Sequence, residues 1–210
     1  GLDRVMGKLK HLDFFMLYGA NDPVHTGGDL KESLGKLQES LRTKEEMLLS
    51  GASAEEVDRL FSWGEARLVK GIMLYDKIRH IARHARVVGV CGGGLRFGGS
   101  AEIQLMCDVL VGDSRSGMCF SEAMIGIIPG WAGMARVFSK AGLENAEYMT
   151  KTARVVHAED LKEMGIYNDV VTVDFPFPRK SSRNNQEYQL LIEEHDTNTG
   201  LLLLPRALEL

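Results

Sequence analysis

Five glycines fall within eight positions, Gly92, Gly93, Gly94, Gly98 and Gly99, directly after the apolar run Val87-Val88-Gly89-Val90-Cys91 and directly before Ser100-Ala101-Glu102. A short apolar run bounded by turn residues reads as a buried strand. A Gly-dense turn between a strand and a helix lets backbone approach a ligand closely, because no Cβ stands in the way. Gly92-Gly93-Gly94 invites comparison with a phosphate loop, but G-x-x-x-x-G-K-[ST] is missing and Arg96 does not stand where the loop lysine would.

The flanking sequence alternates strands with helices. Leu2, Val5, Met6, Leu9 and Leu12 recur at helical spacing, so the chain is expected to open inside a helix over residues 2–12. Phe14-Phe15-Met16-Leu17-Tyr18 is a buried-strand run closed by the turn residues Gly19 to Pro23. Good helix formers dominate 31–86, interrupted at Ser50-Gly51-Ala52-Ser53, where Ser53 before Glu55-Glu56 is an N-cap with an acidic first turn. That pattern predicts a helical hairpin, with one arm ending near Ser50 and the other starting near Ser53. Beyond the glycine turn come a short helix over 101–107, a strand at Val109-Leu110-Val111, a helix after Pro129-Gly130, a helix over 158–164 and a strand at 170–173. Strands alternating with helices imply an α/β fold with a largely parallel sheet. After 175 the text turns polar and Pro-interrupted, a loop; 186–195 is expected to regain a helix, and 200–210 is an apolar segment suited to docking on the body or on another subunit.

Composition narrows the function classes. The 210 residues are 44% apolar, enough for one full core, and a formal net charge of −4 offers no basic surface for nucleic acid. The three cysteines, Cys91, Cys107 and Cys119, show neither CxxC nor Cys/His ligand spacing, which argues against a disulfide framework and against a metal site, and fits a reducing, cytoplasmic compartment. No apolar run approaches the roughly 18 residues of a membrane span, so a soluble protein without a membrane partner is expected.

Several motifs together carry a family resemblance. The strand and turn from Val87 to Glu102 are followed by Cys107-Asp108, Ser121-Glu122 and Gly126-Ile127-Ile128-Pro129-Gly130. This order resembles the core signature of the crotonase (enoyl-CoA hydratase/isomerase) superfamily, with Ser121 where the family carries proline. Upstream, Tyr18-Gly19-Ala20-Asn21 through His25-Thr26-Gly27-Gly28-Asp29-Leu30 is similar to the family's strand and F-x-x-G-A-D-[LI] loop; downstream, Gly142 to Ala146 and Ala158 to Ile166 are similar to its later helices. The resemblance covers about Leu9 to Val173 and implies a crotonase-like (ClpP/crotonase) spiral of ββα units. It places the core over 1–175, with 31–86 as an enlarged helical insertion, and an atypical tail over 176–210. The family's first β-hairpin, with its N-A motif, lies before the start of this chain, so a partial domain is expected.

The resemblance also implies a chemistry. Moving a proton next to a thioester carbonyl puts negative charge on the thioester oxygen, and two converging N–H groups hold it. The family assigns that oxyanion hole to the backbone of Gly28 and Gly99, each in a Gly-Gly pair before a helix. Hydration of a double bond further needs one group to activate water and another to exchange the α-proton, work that two carboxylates with separated pKa values divide. Glu102 and Glu122 stand at the family's two positions, Glu102 toward the water and Glu122 toward the α-carbon. His25, Gly27, Asp29, Gly98 and Trp131 are the further substrate-binding candidates. Asp29 also suits the cap of the helix at Leu30, and Trp131 the wall of the acyl pocket. No metal or separate cofactor is implied; CoA enters as part of the substrate, and a homotrimer or hexamer is the family's assembly. The expected reaction is hydration of an enoyl-CoA to a 3-hydroxyacyl-CoA. Isomerisation, or hydrolysis of a C–C or thioester bond on an unusual acyl-CoA, stays open, as does a catalytically silent role in binding acyl-CoA or scaffolding.

Overall fold

The computed structural model describes residues 12–18, 24–25, 30–59, 63–178 and 185–210. Through its first six strands the chain alternates between two sheets as it advances. Strands β1 (Phe14–Tyr18), β3 (Arg86–Cys91), β5 (Val109–Asp113) and β8 (Asp169–Val171) make the first, in the order β1-β3-β5-β8. Every neighbouring pair in it is parallel. Strands β2 (Val24–His25), β4 (Leu95–Phe97), β6 (Gly117–Cys119) and β7 (Val156–His157) make the second, in the order β2-β4-β6-β7, with only the last pair antiparallel. Each turn of the chain lays one strand in each sheet and then a helix: β3, β4 and α4 (Gly99–Gln104), then β5, β6 and, after a short 3-10 helix at Ser121–Ile125, α5 (Gly133–Thr152). This is the expected spiral of ββα units. The expected opening helix lies, apart from Leu12, outside the described residues, as do the Gly19 to Pro23 turn and residues 26–29.

The continuous apolar run of β3 has a direct cause. Its side chains alternate between two cores: Val87 and Cys91 join one, Val88 and Val90 the other. A parallel strand covered on both faces reads as uninterrupted hydrophobic sequence. The first core holds Leu110, Met118 and Phe120 against Met149 of α5 and Leu161 of α6 (Ala158–Glu163). Gly89 keeps α4 close, because a Cβ there would lie 2.5 Å from Leu110 Cδ2 and 2.6 Å from Gln104 Oε1.

Of the expected helical stretch 31–86, the described helices end at Ile81 and Arg86 already starts β3, and the hairpin has more pieces than its sequence suggests. α1 spans Leu30–Leu49, α2 Ala54–Asp58 and α3 Trp63–Ile81. The Ser53 cap is present as a reciprocal pair: Ser53 Oγ accepts the Glu56 N–H, and Glu56 Oε2 accepts the Ser53 N–H at 2.8 Å. The expected single second arm is therefore corrected to two helices. α2 closes at Arg59, whose N–H turns back to the carbonyls of Glu55 and Val57, and α3 begins anew. α3 enters the core through Ile78 and Ile81, with Leu74 and Tyr75 packed against it, while Leu68, Val69, Ile72 and Met73 stay exposed.

The tail differs most from expectation. The two separate pieces at 186–195 and 200–210 are one helix, α7 (Asn185–Glu209), continuous through Gly200 and Pro205. Docking explains the continuity, since Ile192, Leu203 and Ala207 are buried and the last two close the second core over Val88, Val90, Val109 and Val111. Leu201 and Leu202 remain exposed on the other side.

A polar node fixes the start of this docking. Arg115 donates to the buried Asp113 carboxylate at 2.7 Å, to the Phe175 carbonyl at 2.7 Å, to His195 Nε2 at 2.8 Å and to Thr199 Oγ1 at 3.3 Å. Arginine only donates, so Nε2 carries its lone pair and His195 is neutral with its proton on Nδ1. Phe177 stacks on the imidazole at 4.5 Å, and Asp113 also accepts the Gly93 N–H at 2.6 Å, joining α7 to the glycine turn. Burial, then the Arg115 cation, hold His195 below its ordinary value of 6.5.

Two outcomes follow from the docked tail. Leu203→Ala is expected to lower the unfolding free energy by about 2–5 kcal/mol in urea denaturation, whereas a loss near zero contradicts burial of this face. The depressed His195 value means the unfolded chain binds the extra proton first. Stability therefore rises with pH through the window between the folded value and 6.5, and this contribution is fully present only above that window. His195→Gln should flatten that part of the stability profile between pH 7 and 5, and an unchanged slope excludes His195 as its source.

Candidate active site

The site grows from the end of β4. After Phe97 the chain turns at Gly98, whose φ of 53° and ψ of −127° suit a residue without a Cβ, and whose N–H donates to the Cys119 carbonyl at 2.9 Å. Gly99 then opens α4, and its N–H belongs to the first-turn amides that a helix leaves without an intrahelical partner. Glu102, still in the first turn, points inward and is 2% exposed.

Glu102 is held by a second helix start. Its Oε1 accepts the Trp131 N–H and the Gly133 N–H, both at 2.8 Å. Gly133 begins α5, so the carboxylate sits where unpaired amides and the helix dipole favour negative charge. Gly133 must lack a Cβ, which would lie 2.8 Å from Phe120 and 2.9 Å from Glu102 Cγ. Ala132 between the two donors has φ 63°, a left-handed conformation uncommon for alanine.

Glu122 reaches the same place from the 3-10 helix after β6 and is also buried. Its Oε1 lies 2.7 Å from where a Gly98 Cβ would stand, and its buried Oε2 has no hydrogen-bond partner among the described residues. The two carboxylates therefore flank the Gly98-Gly99 turn. Burial raises the Glu102 carboxyl above the ordinary carboxylate range, the Gly133 and Trp131 amides pull it back, and the Glu122 charge adds to the rise. Burial raises Glu122 as well.

Of the other candidates, Trp131 packs on the first core beside Gly99, and Gly98 forms the turn. His25 lies in β2 with its backbone in register with Arg96 of β4, and the C-terminal ends of these parallel strands point to one edge. Gly27, Gly28 and Asp29 lie outside the described residues. Arg136, which sequence reading passed over, stands one turn into α5 with its guanidinium 4.1 Å from the Tyr75 ring centre, and Glu102 is among the charges acting on it. Nothing in the local sequence around Arg136 marks that role, because its partners come from α3 and α4.

Arg96 is fully buried away from the carboxylates, donating to the Gly94 and Gly92 carbonyls at 3.0 and 3.2 Å, so it braces the glycine turn. The three cysteines are buried free thiols. Among the described residues no helix is long and apolar enough to cross a membrane. A cavity of about 440 Å³ lined by Asn145, Tyr148, Val156, Asp160 and Met164 shares no residue with the carboxylate site.

Comparison with known proteins agrees with this geometry. The family model for enoyl-CoA hydratase/isomerase matches residues 68–176, from within α3 to just past β8. Over 125 residues the chain is 27% identical to the mitochondrial enoyl-CoA hydratase of Pongo abelii, covering 60% of this chain and 42% of that protein. Over 78 residues it is 33% identical to the mitochondrial methylglutaconyl-CoA hydratase of Mus musculus, covering 37% of this chain and 25% of that one. The chain thus spans less than half the length of these two relatives. The crystal structure of an enoyl-CoA hydratase from Thermoplasma volcanium shares the fold, with a TM-score of 0.56 at 16% identity over 93% of this chain and 65% of that one. The matched segment contains both buried glutamates and the Gly98-Gly99 turn that precedes them, and the chain belongs to the enoyl-CoA hydratase/isomerase family of the crotonase superfamily.

Proposed function

We propose that the chain acts on acyl-CoA thioesters and hydrates an enoyl-CoA to a 3-hydroxyacyl-CoA. The observation that carries this reading is the pair of buried, raised carboxylates Glu102 and Glu122 on either side of the Gly98-Gly99 turn. In the reading, the Gly99 N–H at the start of α4 donates to the thioester oxygen, and the family resemblance assigns the second donor to Gly28. Glu102 has one oxygen committed to two amides, which leaves the other to accept from a water. That water adds through its oxygen to Cβ and gives its proton to Glu102, while the double-bond electrons move onto the thioester as an enolate. Glu122, whose burial favours the protonated form, then delivers a proton to Cα, and the pair regains its starting protonation through solvent. By the family resemblance, His25, Gly27 and Asp29 would contact the CoA half. The reaction needs no group beyond these side chains and the substrate.

Assembly belongs to the same proposal. Met124, Ile125, Ile127, Ile128, Met134 and Phe138 are exposed around the 3-10 helix and the start of α5, with Ile128 at 78%. Exposed apolar residues concentrated in one stretch of this kind suit a protein interface, and a homotrimer or hexamer would cover them.

Glu102→Gln and Glu122→Gln are each expected to lower turnover of crotonyl-CoA by about 100-fold to 10,000-fold, with the parent product heavier than substrate by one water. Unchanged turnover in either variant removes that residue from the mechanism, and an isobaric product replaces hydration with isomerisation. Ile128→Asp is expected to shift the protein to a smaller species in analytical ultracentrifugation. A parent that sediments as a monomer contradicts the assembly.

A further inference from the structure

In the acyl-CoA reading a thioester held by Gly99 lies between Glu102 and Glu122, and Trp131 stands beside Gly99. The six-membered ring of Trp131 lies 3.5–3.9 Å from the Cβ position of Gly99. Its pyrrole edge presses on α3 so closely that a Cβ on Gly71 would stand 2.1 Å from Cδ1 and 2.2 Å from Nε1. The indole therefore spans from the start of α4 to α3. Its root is fixed as well, since the Trp131 N–H donates to Glu102 Oε1, and the next residue, Ala132, adopts the left-handed conformation that turns the chain into α5. Gly130 on the other side meets Leu68 of α3, with 3.1 Å from its Cβ position to Leu68 Cδ2.

We infer that Trp131, backed by Gly71 of α3, closes the acyl end of the pocket and makes the site selective for short-chain acyl thioesters. The inference rests on the acyl-CoA reading above and deepens it by naming the substrate class. α3 is the surface against which the indole is wedged. A longer chain meets the ring edge, and the ring has no room to withdraw toward α3 because Gly71 already touches it. A smaller side chain at 131 turns the same volume into space for additional methylenes, each of which gains affinity by leaving water.

The test is binding of butyryl-CoA and octanoyl-CoA by isothermal titration calorimetry to the parent, Trp131→Ala and Trp131→Leu, alongside crotonyl-CoA turnover. The parent is expected to bind butyryl-CoA at least as tightly as octanoyl-CoA, and either variant to raise the octanoyl-to-butyryl affinity ratio by about tenfold or more. The leucine variant retains an apolar side chain and carries the test if circular dichroism shows that the alanine variant is unfolded. A parent that prefers octanoyl-CoA, or a ratio unchanged in the folded variants, overturns the inference. Selective binding of butyryl-CoA without hydration of crotonyl-CoA upholds it while refuting the hydratase reaction. Binding of neither thioester overturns both.

Discussion

The architecture of the site depends on one buried carboxylate. Glu102 leaves water to accept two backbone N–H groups, from Trp131 and Gly133, on a single oxygen. Taking a carboxylate out of water is unfavourable unless charged hydrogen bonds replace its hydration, so the two amides and the start of α5 must be where they are. That requirement propagates outward. It demands glycine at 133, where a Cβ would meet Phe120, and a left-handed Ala132 between the two donors. It brings the start of α5 against the first turn of α4, and with it sets the indole of Trp131 beside Gly99.

The second requirement is that β3 be buried on both faces. One face is covered by helices α3 to α6, the other by α7, and the glycine turn that follows β3 inherits its position from both sides. Arg96 braces that turn from within through the Gly92 and Gly94 carbonyls, and Asp113 accepts the Gly93 N–H while paired with Arg115. The node of Asp113, Arg115 and His195 thus links the tail helix to the segment that delivers Gly98 and Gly99. Tail docking and site geometry are mechanically connected through it.

Much of this was legible in the sequence where the cause is local. β3 shows as an apolar run because both its faces are covered, Ser53 as a cap because Glu56 follows at capping-box spacing, and the turn as a glycine cluster because Gly98 needs a positive φ. The features that escaped are those whose cause lies far along the chain. Gly200 and Pro205 suggest a broken helix, yet burial of Leu203 and Ala207 on the sheet holds α7 continuous. Arg115 and His195 are 80 positions apart, and nothing near either announces the contact. Trp131 was legible as an aromatic near the pocket, but its wedge against Gly71 depends on α3, whose start the helical pattern alone places too early.

The central claim is that Gly99 and the two carboxylates stabilise and trade protons with a thioester enolate. Incubating the protein with butyryl-CoA in deuterium oxide tests it without any need for a double bond. Removal of an α-proton and its return as deuteron leaves a substrate one mass unit heavier, read directly by mass spectrometry. The account predicts enzyme-dependent exchange at Cα that disappears in Glu122→Gln. Exchange no faster than in buffer alone, or undiminished in that variant, contradicts it.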